Sequence, residues 1–303
     1  MSTIQPPFIK KGATFGLVSP AGKIDPTIIP KTETFLEANG FRCRKGKYIT
    51  ENYYQFSGTD EQRKKDLQSM IDDPEIDVIW CCRGGYGTIR IIEEINFSKM
   101  ITHPKWLIGY SDITVIHAAL QNNYNIISIH GPMPVNLPDG NNWDGEWMHL
   151  LKILQGHEMI YHTNPNPLNR QGTAAGQLIG GNLSLLSVLI GSEYDFDPRG
   201  KILFIEEVDE QIYHLDRMMH HLKLSKKLEH LSGLIVGHLT DMKDGSTPFG
   251  YSAQQVIRNA VDHYDYPVLF DFPSGHESPN QPLLMGAHLH IQVSGNGGIV
   301  AYP

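Results

Sequence analysis

Ser111 follows the apolar run Trp106-Leu107-Ile108-Gly109 and precedes a helical pattern over 113–122. A strand-to-helix turn of this kind lifts a side chain above the carboxyl edge of a parallel sheet and sets the first helical amides beneath it. Ser111 is therefore a candidate nucleophile, with the backbone N–H of Asp112 as a donor to an oxyanion. The match to Gly-x-Ser-x-Gly is incomplete, because Ile113 stands where the second glycine belongs, and a Ser-Asp pair before a helix also serves as a plain cap. Arg83-Gly84-Gly85-Tyr86-Gly87 likewise lies between an apolar run, Val78 to Cys82, and a helix expected over 88–96. Its glycines let the backbone approach an anion, so Gly85 offers a second oxyanion donor if the two strands are neighbours, and a tight turn is the bland alternative. The segment fits neither the Walker pattern nor Gly-x-Gly-x-x-Gly.

A serine needs a base, and a base needs an orienting acid. Glu206 and Glu207 end the apolar strand Ile202 to Ile205, and an acid at a strand terminus is held rigidly enough to orient an imidazole. His276, in Pro273-Ser274-Gly275-His276, sits on a flexible loop suited to reaching a partner. Metal chemistry has weaker support: His220 and His221 point apart on a helix, and His288 and His290 share a strand face without an obvious third ligand. Trp143 and Trp147, with Asp144 and Glu146, suit either a substrate lid or a packed linker.

These residues must be placed by a fold, and the chain of 303 residues is long enough for one large domain or two ordinary ones. Its first half alternates short apolar runs with helical patterns, the mark of βαβ units and a parallel sheet. The second half holds more separated strands. The expected division is an N-terminal α/β domain over 1–135, a connecting segment rich in Asn, Asp, Gly and Pro over 136–172, and a β-rich domain over 173–303. With 25 Lys and Arg against 33 Asp and Glu, the net charge is −8 and no cationic block stands out, which argues against a nucleic-acid partner. No stretch approaches the roughly 20 apolar residues of a membrane span. The three cysteines, two of them adjacent in a buried run, read as core residues in a reducing compartment, so the expected location is cytoplasmic.

Taken in order, Gly16 to Gly22, Arg83 to Gly87, Gly109 to Asp112, His130 to Met133, Gly180 to Ser184, Leu203 to Glu207, Tyr213 to Arg217 and Pro273 to His276 resemble the LD-carboxypeptidase family of serine peptidases. That group includes murein tetrapeptide carboxypeptidases and a microcin C immunity branch. The resemblance implies an α/β fold: an N-terminal Rossmann- or flavodoxin-like parallel sheet flanked by helices, as in class I glutamine amidotransferases, and a β-rich, barrel-like or swivelling C-terminal domain. It implies a Ser-Glu-His triad of Ser111, Glu206 and His276, with oxyanion donors at Asp112 and Gly85 and substrate contacts at Arg83, Gly84 and Asn182. Glu206 is preferred to Glu207 because it aligns with the first acid of the family pattern. The implied protein is a homodimer with no cofactor and no metal, and it acts on a small muropeptide-like substrate. It hydrolyses the amide between an L-centre and a terminal D-amino acid in peptidoglycan recycling. A microcin-type peptidase acting on an aminoacyl nucleotide, with Trp143 or Trp147 stacking on the base, is the first alternative. A non-catalytic carboxylate-binding protein is the second. His130 to Met133 and the compact length look more like the tetrapeptide carboxypeptidases.

Overall fold

A computed structural model describes residues 3–140 and 142–303. Met1 and Ser2, within the expected N-terminal domain, and Asn141, within the expected connecting segment, lie outside the described residues. The chain forms two compact units: Met1–His157 with Gln281–Leu284, and Glu158–Asn280 with Met285–Pro303. The boundary thus falls inside the stretch expected to connect the halves. Residues 136–157 pack with the first unit through a helix, and 158–172 join the second through a strand.

The first unit is built on the strands β1 (Thr14–Val18), β2 (Arg42–Lys45), β3 (Val78–Cys81), β4 (Trp106–Gly109) and β5 (Ser128–His130), ordered β2-β1-β3-β4-β5, with Leu283–Met285 added beside β5. The neighbouring pairs from β2 to β5 are all parallel. This is the flavodoxin-like order, in which the strand sequence reverses direction between β1 and β3 and opens a crevice at their carboxyl ends. β1, β3 and β4 are buried at every position, as a sheet covered on both faces requires. β2, with its sequence Arg-Cys-Arg-Lys, is the charged edge. The helices α1 (Ile28–Ala38), α2 (Asp60–Asp72), α3 (Lys99–Thr102), α4 (Thr114–Ala119) and α5 (Glu146–Leu154) accompany these strands. Thr59 and Gln62 close a capping box at the start of α2, which accounts for its position.

Two expected helices come out differently. The pattern over 88–96 resolves into two 3-10 turns, Thr88–Arg90 and Ile92–Glu94, and the pattern over 113–122 into the short α4 flanked by a 3-10 turn and a wide turn ending at Asn125. At the start of the first of these, Asp112 accepts from the Thr88 N–H and hydroxyl, satisfying a donor that has no partner within the turn.

The second unit carries β6 (Ile160–Thr163), β7 (Gly172–Asn182), β8 (Ile202–Val208), β9 (Gly233–Thr240), β10 (Val268–Leu269), then, after β11 (Leu283–Met285), β12 (His288–Ser294) and β13 (Gly297–Ala301). Apart from β11 they form one mixed sheet, ordered β10-β9-β8-β7-β12-β13-β6. β7 is the pivot: residues 172–177 pair antiparallel with β12, and residues 178–182 pair parallel with β8. α6 (Leu183–Leu189), α7 (Ile212–Leu224) and α8 (Ala253–Ala260) supply the apolar layer, with Leu183, Leu215, Met219, Val256 and Ile257 buried against Leu203, Ile205 and Val236.

Candidate active site

In the first unit, the candidate groups gather at the carboxyl ends of β1, β3 and β4. Ser111 is the first residue of the turn after β4 and has φ +64°, a left-handed backbone unusual for a non-glycine residue. Such conformations persist where the surroundings over-determine them, and they cluster at functional sites. The surroundings here are close: a Cβ built on Gly84 would lie 2.9 Å from Ser111 Cβ and 3.1 Å from its Oγ, so the glycine turn after β3 is seated directly against the serine. Only glycine permits that approach. Gly84 O in turn accepts from Gly22 N at 2.9 Å, joining the turn after β1. Gly85 is exposed, and its N–H has no acceptor among the described residues.

Asp112 is buried beneath this turn. Its Oδ2 accepts from Thr88 N at 2.7 Å and from the Thr88 hydroxyl, so the carboxylate staples the nucleophile turn to the end of the glycine turn. Burial raises its pKa, against the hydrogen bonds from Thr88, which lower it. Arg63, also buried, completes the frame by donating to Gly87 O at 2.9 Å and to Pro20 O. His117, unnoticed in the sequence, donates from Nε2 to Gly109 O at 2.9 Å and pairs through Nδ1 with Ser128 Oγ at 2.8 Å. Burial pulls its pKa down to about 4, which keeps the ring neutral and able to bond on both sides. Arg83 is exposed and gives one donor to Lys23 O at 2.8 Å.

The second unit separates the two acids. Glu206 is fully buried, and its Oε2 meets His276 Nδ1 at 2.6 Å. Its Oε1 has no protein partner among the described residues. Glu207 points to the other face of β8, where it accepts from Asn182 Nδ2 at 3.0 Å, Ser184 N at 2.7 Å and its neighbour Val208 N at 2.9 Å. The register shift between β8 and β9 at this point suits a strand that presents adjacent carboxyls to different partners. Burial pushes Glu207 up to about 7, with the charge of Glu206 adding to it and the three hydrogen bonds opposing. For His276, burial favours the neutral ring, but the Glu206 hydrogen bond and the charges of Glu206 and Glu207 outweigh it and the net shift is upward.

The remaining expectations fare unevenly. Asn182 is buried and caps α6, its Oδ1 accepting from Leu185 N while Nδ2 donates to Glu207. Trp147 is buried against Phe35 and Trp80 and belongs to packing, while the half-buried Trp143 lies edge-on to Phe35 at 5.3 Å. His288 and His290 are exposed on one face of β12, and no group of three metal-ligating side chains occurs among the described residues. Among the described residues no helix is long and apolar enough to cross a membrane.

Comparison with known proteins identifies the family of the chain. Residues 15–131 match the LD-carboxypeptidase N-terminal domain and residues 175–291 the LD-carboxypeptidase C-terminal domain. The "Probable murein peptide carboxypeptidase" of Bacillus subtilis (strain 168) is 35% identical, over 93% of this chain and 90% of that protein. The murein tetrapeptide carboxypeptidase of Pseudomonas aeruginosa is 28% identical, with 88% of each chain covered. The crystal structure of muramoyltetrapeptide carboxypeptidase from Oxalobacter formigenes superimposes with a TM-score of 0.86 at 24% identity, over 96% of this chain and 98% of that one, a likeness of fold. Microcin C7 self-immunity protein MccF with aspartyl sulfamoyl adenosine superimposes equally well, with a TM-score of 0.87 at 24% identity over 99% and 98% of the two chains. On both domain matches and on this identity, the chain belongs to the LD-carboxypeptidase family of serine peptidases.

Proposed function

We propose that this LD-carboxypeptidase releases the terminal D-amino acid of a murein tetrapeptide, with Ser111 as nucleophile, His276 as base and Glu206 as the orienting acid. The observation that carries the assignment of the base is the 2.6 Å contact between His276 Nδ1 and Glu206 Oε2. A proton on Nδ1, donated to the carboxylate, leaves Nε2 as the basic nitrogen, the tautomer a serine nucleophile requires. In this reading Nε2 takes the Ser111 proton as Oγ attacks the scissile carbonyl and returns it to the departing amine. The N–H groups of Gly85 and Asp112 stabilise the oxyanion, a contribution of about 3–4 kcal/mol for a well-placed donor.

The substrate ends in a carboxylate, and the overall charge of −8 repels it. Arg83 and Lys23 counter this locally. They are joined through the Lys23 carbonyl beside the glycine turn, and neither has a carboxylate partner among the described residues. We assign the anchoring of the substrate carboxylate to Arg83. The aminoacyl-nucleotide reading loses Trp147 as a stacking residue, since it is buried against Phe35 and Trp80. The test is to incubate the protein with murein tri-, tetra- and pentapeptides and weigh the products. Loss of one D-alanine from the tetrapeptide alone is expected, and an unchanged tetrapeptide with a cleaved aminoacyl sulfamoyl nucleotide would favour the other branch. For the assembly we propose a homodimer, checked by light scattering, and for the location the cytoplasm, checked by fractionation.

A further inference from the structure

The loop that carries His276 has no regular secondary structure over 271–280, so particular bonds must hold it. Asn280 Oδ1 supports it from within, accepting from Gly275 N at 3.0 Å and Ser274 Oγ at 3.2 Å. The other support comes from β9. The His238 N–H donates to Ser274 O at 2.9 Å, and His238 Nδ1 accepts from Glu277 N at 3.2 Å. One residue thus grips the loop two positions before His276 and one position after it. Gly275, at φ +133°, fills the slot between: a Cβ there would meet His238 Cβ at 3.1 Å and Glu206 Cβ at 3.2 Å.

We propose that His238 is a positioning residue, whose Nδ1 pins the Glu277 amide and thereby keeps the His276 imidazole on Glu206. The backbone bond to Ser274 would form with almost any residue at 238, so the acceptor at Nδ1 is what the histidine side chain adds. It accepts only while unprotonated. The titratable groups around it are Glu277, Asp271 and His276 from the loop side and Glu206 from β8, and Asp244 lines the same cavity of about 500 Å³. Burial holds His238 below the ordinary imidazole range in spite of those carboxylates, so the acceptor form persists where His276 works as a base.

This inference rests on His276 being the base, and its test separates the two. His238→Ala removes the acceptor, whereas His238→Asn places Oδ1 near the position of Nδ1. Tetrapeptide turnover by His238→Ala should lose kcat on the order of 10²-fold, the cost of a displaced catalytic group, with KM retained. The His276 imidazole, followed by NMR in the same protein, should titrate lower than in wild type because its bond to Glu206 is no longer enforced. His238→Asn should recover most of both. Identical His276 titration in wild type and His238→Ala overturns the proposal, as does equal impairment of the Ala and Asn variants at unchanged Tm. If His238→Ala does not fold, His238→Leu, which keeps the bulk of the side chain and has no acceptor, replaces it under the same criteria. A wild-type protein inert toward the tetrapeptide would count against the substrate reading alone, since the titration still decides the role of His238.

Discussion

The nucleophile turn and the base loop are held in place by different means. Around Ser111 a short turn is fixed by close backbone approach and by side chains that bond backbone: a left-handed residue, a glycine pressed against it, and a buried carboxylate and guanidinium bonded to turn amides and carbonyls. Around His276 the holding groups are side chains, Glu206, His238 and Asn280, acting on a loop without regular structure. The difference follows from the folds. A parallel α/β sheet ends in short strand-to-helix turns whose geometry is nearly fixed, while a loop after a short strand must be tied down residue by residue. The turn at Ser111 should fail on bulk added at Gly84, and the loop at His276 on loss of the side-chain groups that bond it.

The largest effect tests the premise of the comparison. Ser111→Ala should reduce turnover by about 10⁴-fold or more, as loss of a nucleophile does in serine hydrolases, with the Tm little changed. Wild-type turnover in that variant would remove Ser111 from the mechanism. Next comes Glu206→Gln, expected to cost about 10⁴-fold in kcat, the magnitude seen when an orienting acid is neutralised. It also carries a signed pH effect. The base must be neutral, and the raised pKa of His276 keeps the inactive, protonated ring populated to higher pH, so wild-type kcat/KM should rise through a midpoint above 6.5. A glutamine weakens the hydrogen bond from His276 and removes the Glu206 charge, both of which hold the imidazole up, so the acid limb of the residual activity should move down. A limb that stays in place would show that Glu206 does not set the base.

Gly84→Ala probes the backbone side of the comparison. The new methyl would stand 2.9 Å from Ser111 Cβ, nearer than unbonded carbons approach, and the turn must shift. A loss on the order of 10²-fold in kcat is expected from sub-ångström to ångström displacement of the nucleophile, with substrate binding largely retained. If the variant is as active as wild type, the glycine turn is not what fixes Ser111.

How much of this was legible in the sequence follows the same division. The Ser111 turn is local: strand, turn and helix lie within a few residues, and the apolar runs that flank it read directly as buried parallel strands. The frame behind it is not local. Arg63 reaches Pro20 and Gly87, and His117 reaches Ser128, across spacings that carry no periodic signal. Trp143 and Trp147 stay ambiguous between lid and linker in the sequence because composition says nothing about which neighbour covers an aromatic ring; for Trp147 it is Phe35 and Trp80. Strand β11 carries no sequence signal because it is three residues long and joins the sheet of the first unit from far along the chain. The spacing of Glu206 and Glu207 could not tell one from the other, because neighbours on a strand face opposite ways and only tertiary partners distinguish the two faces.

That pair yields the smallest effect on activity and the sharpest internal control. Glu207 accepts from Asn182, Ser184 and Val208, and a glutamine there offers one oxygen where the carboxylate offers two. At least one N–H then faces an amide NH₂. Glu207→Gln should cost about 1–3 kcal/mol of stability, while kcat falls far less than in Glu206→Gln. The wild type should also show a pH signature that the variant lacks. With a folded pKa of about 7 against 4.5 for an unperturbed glutamate, the folded state binds the proton more tightly, so the stabilising contribution is complete below 4.5 and is lost as pH rises through 7. Urea unfolding of both proteins at pH 5 and pH 8 measures this directly. A wild-type slope that survives unchanged in Glu207→Gln assigns the titration to another group, and a kcat loss equal to that of Glu206→Gln would undo the distinction between the two faces of β8.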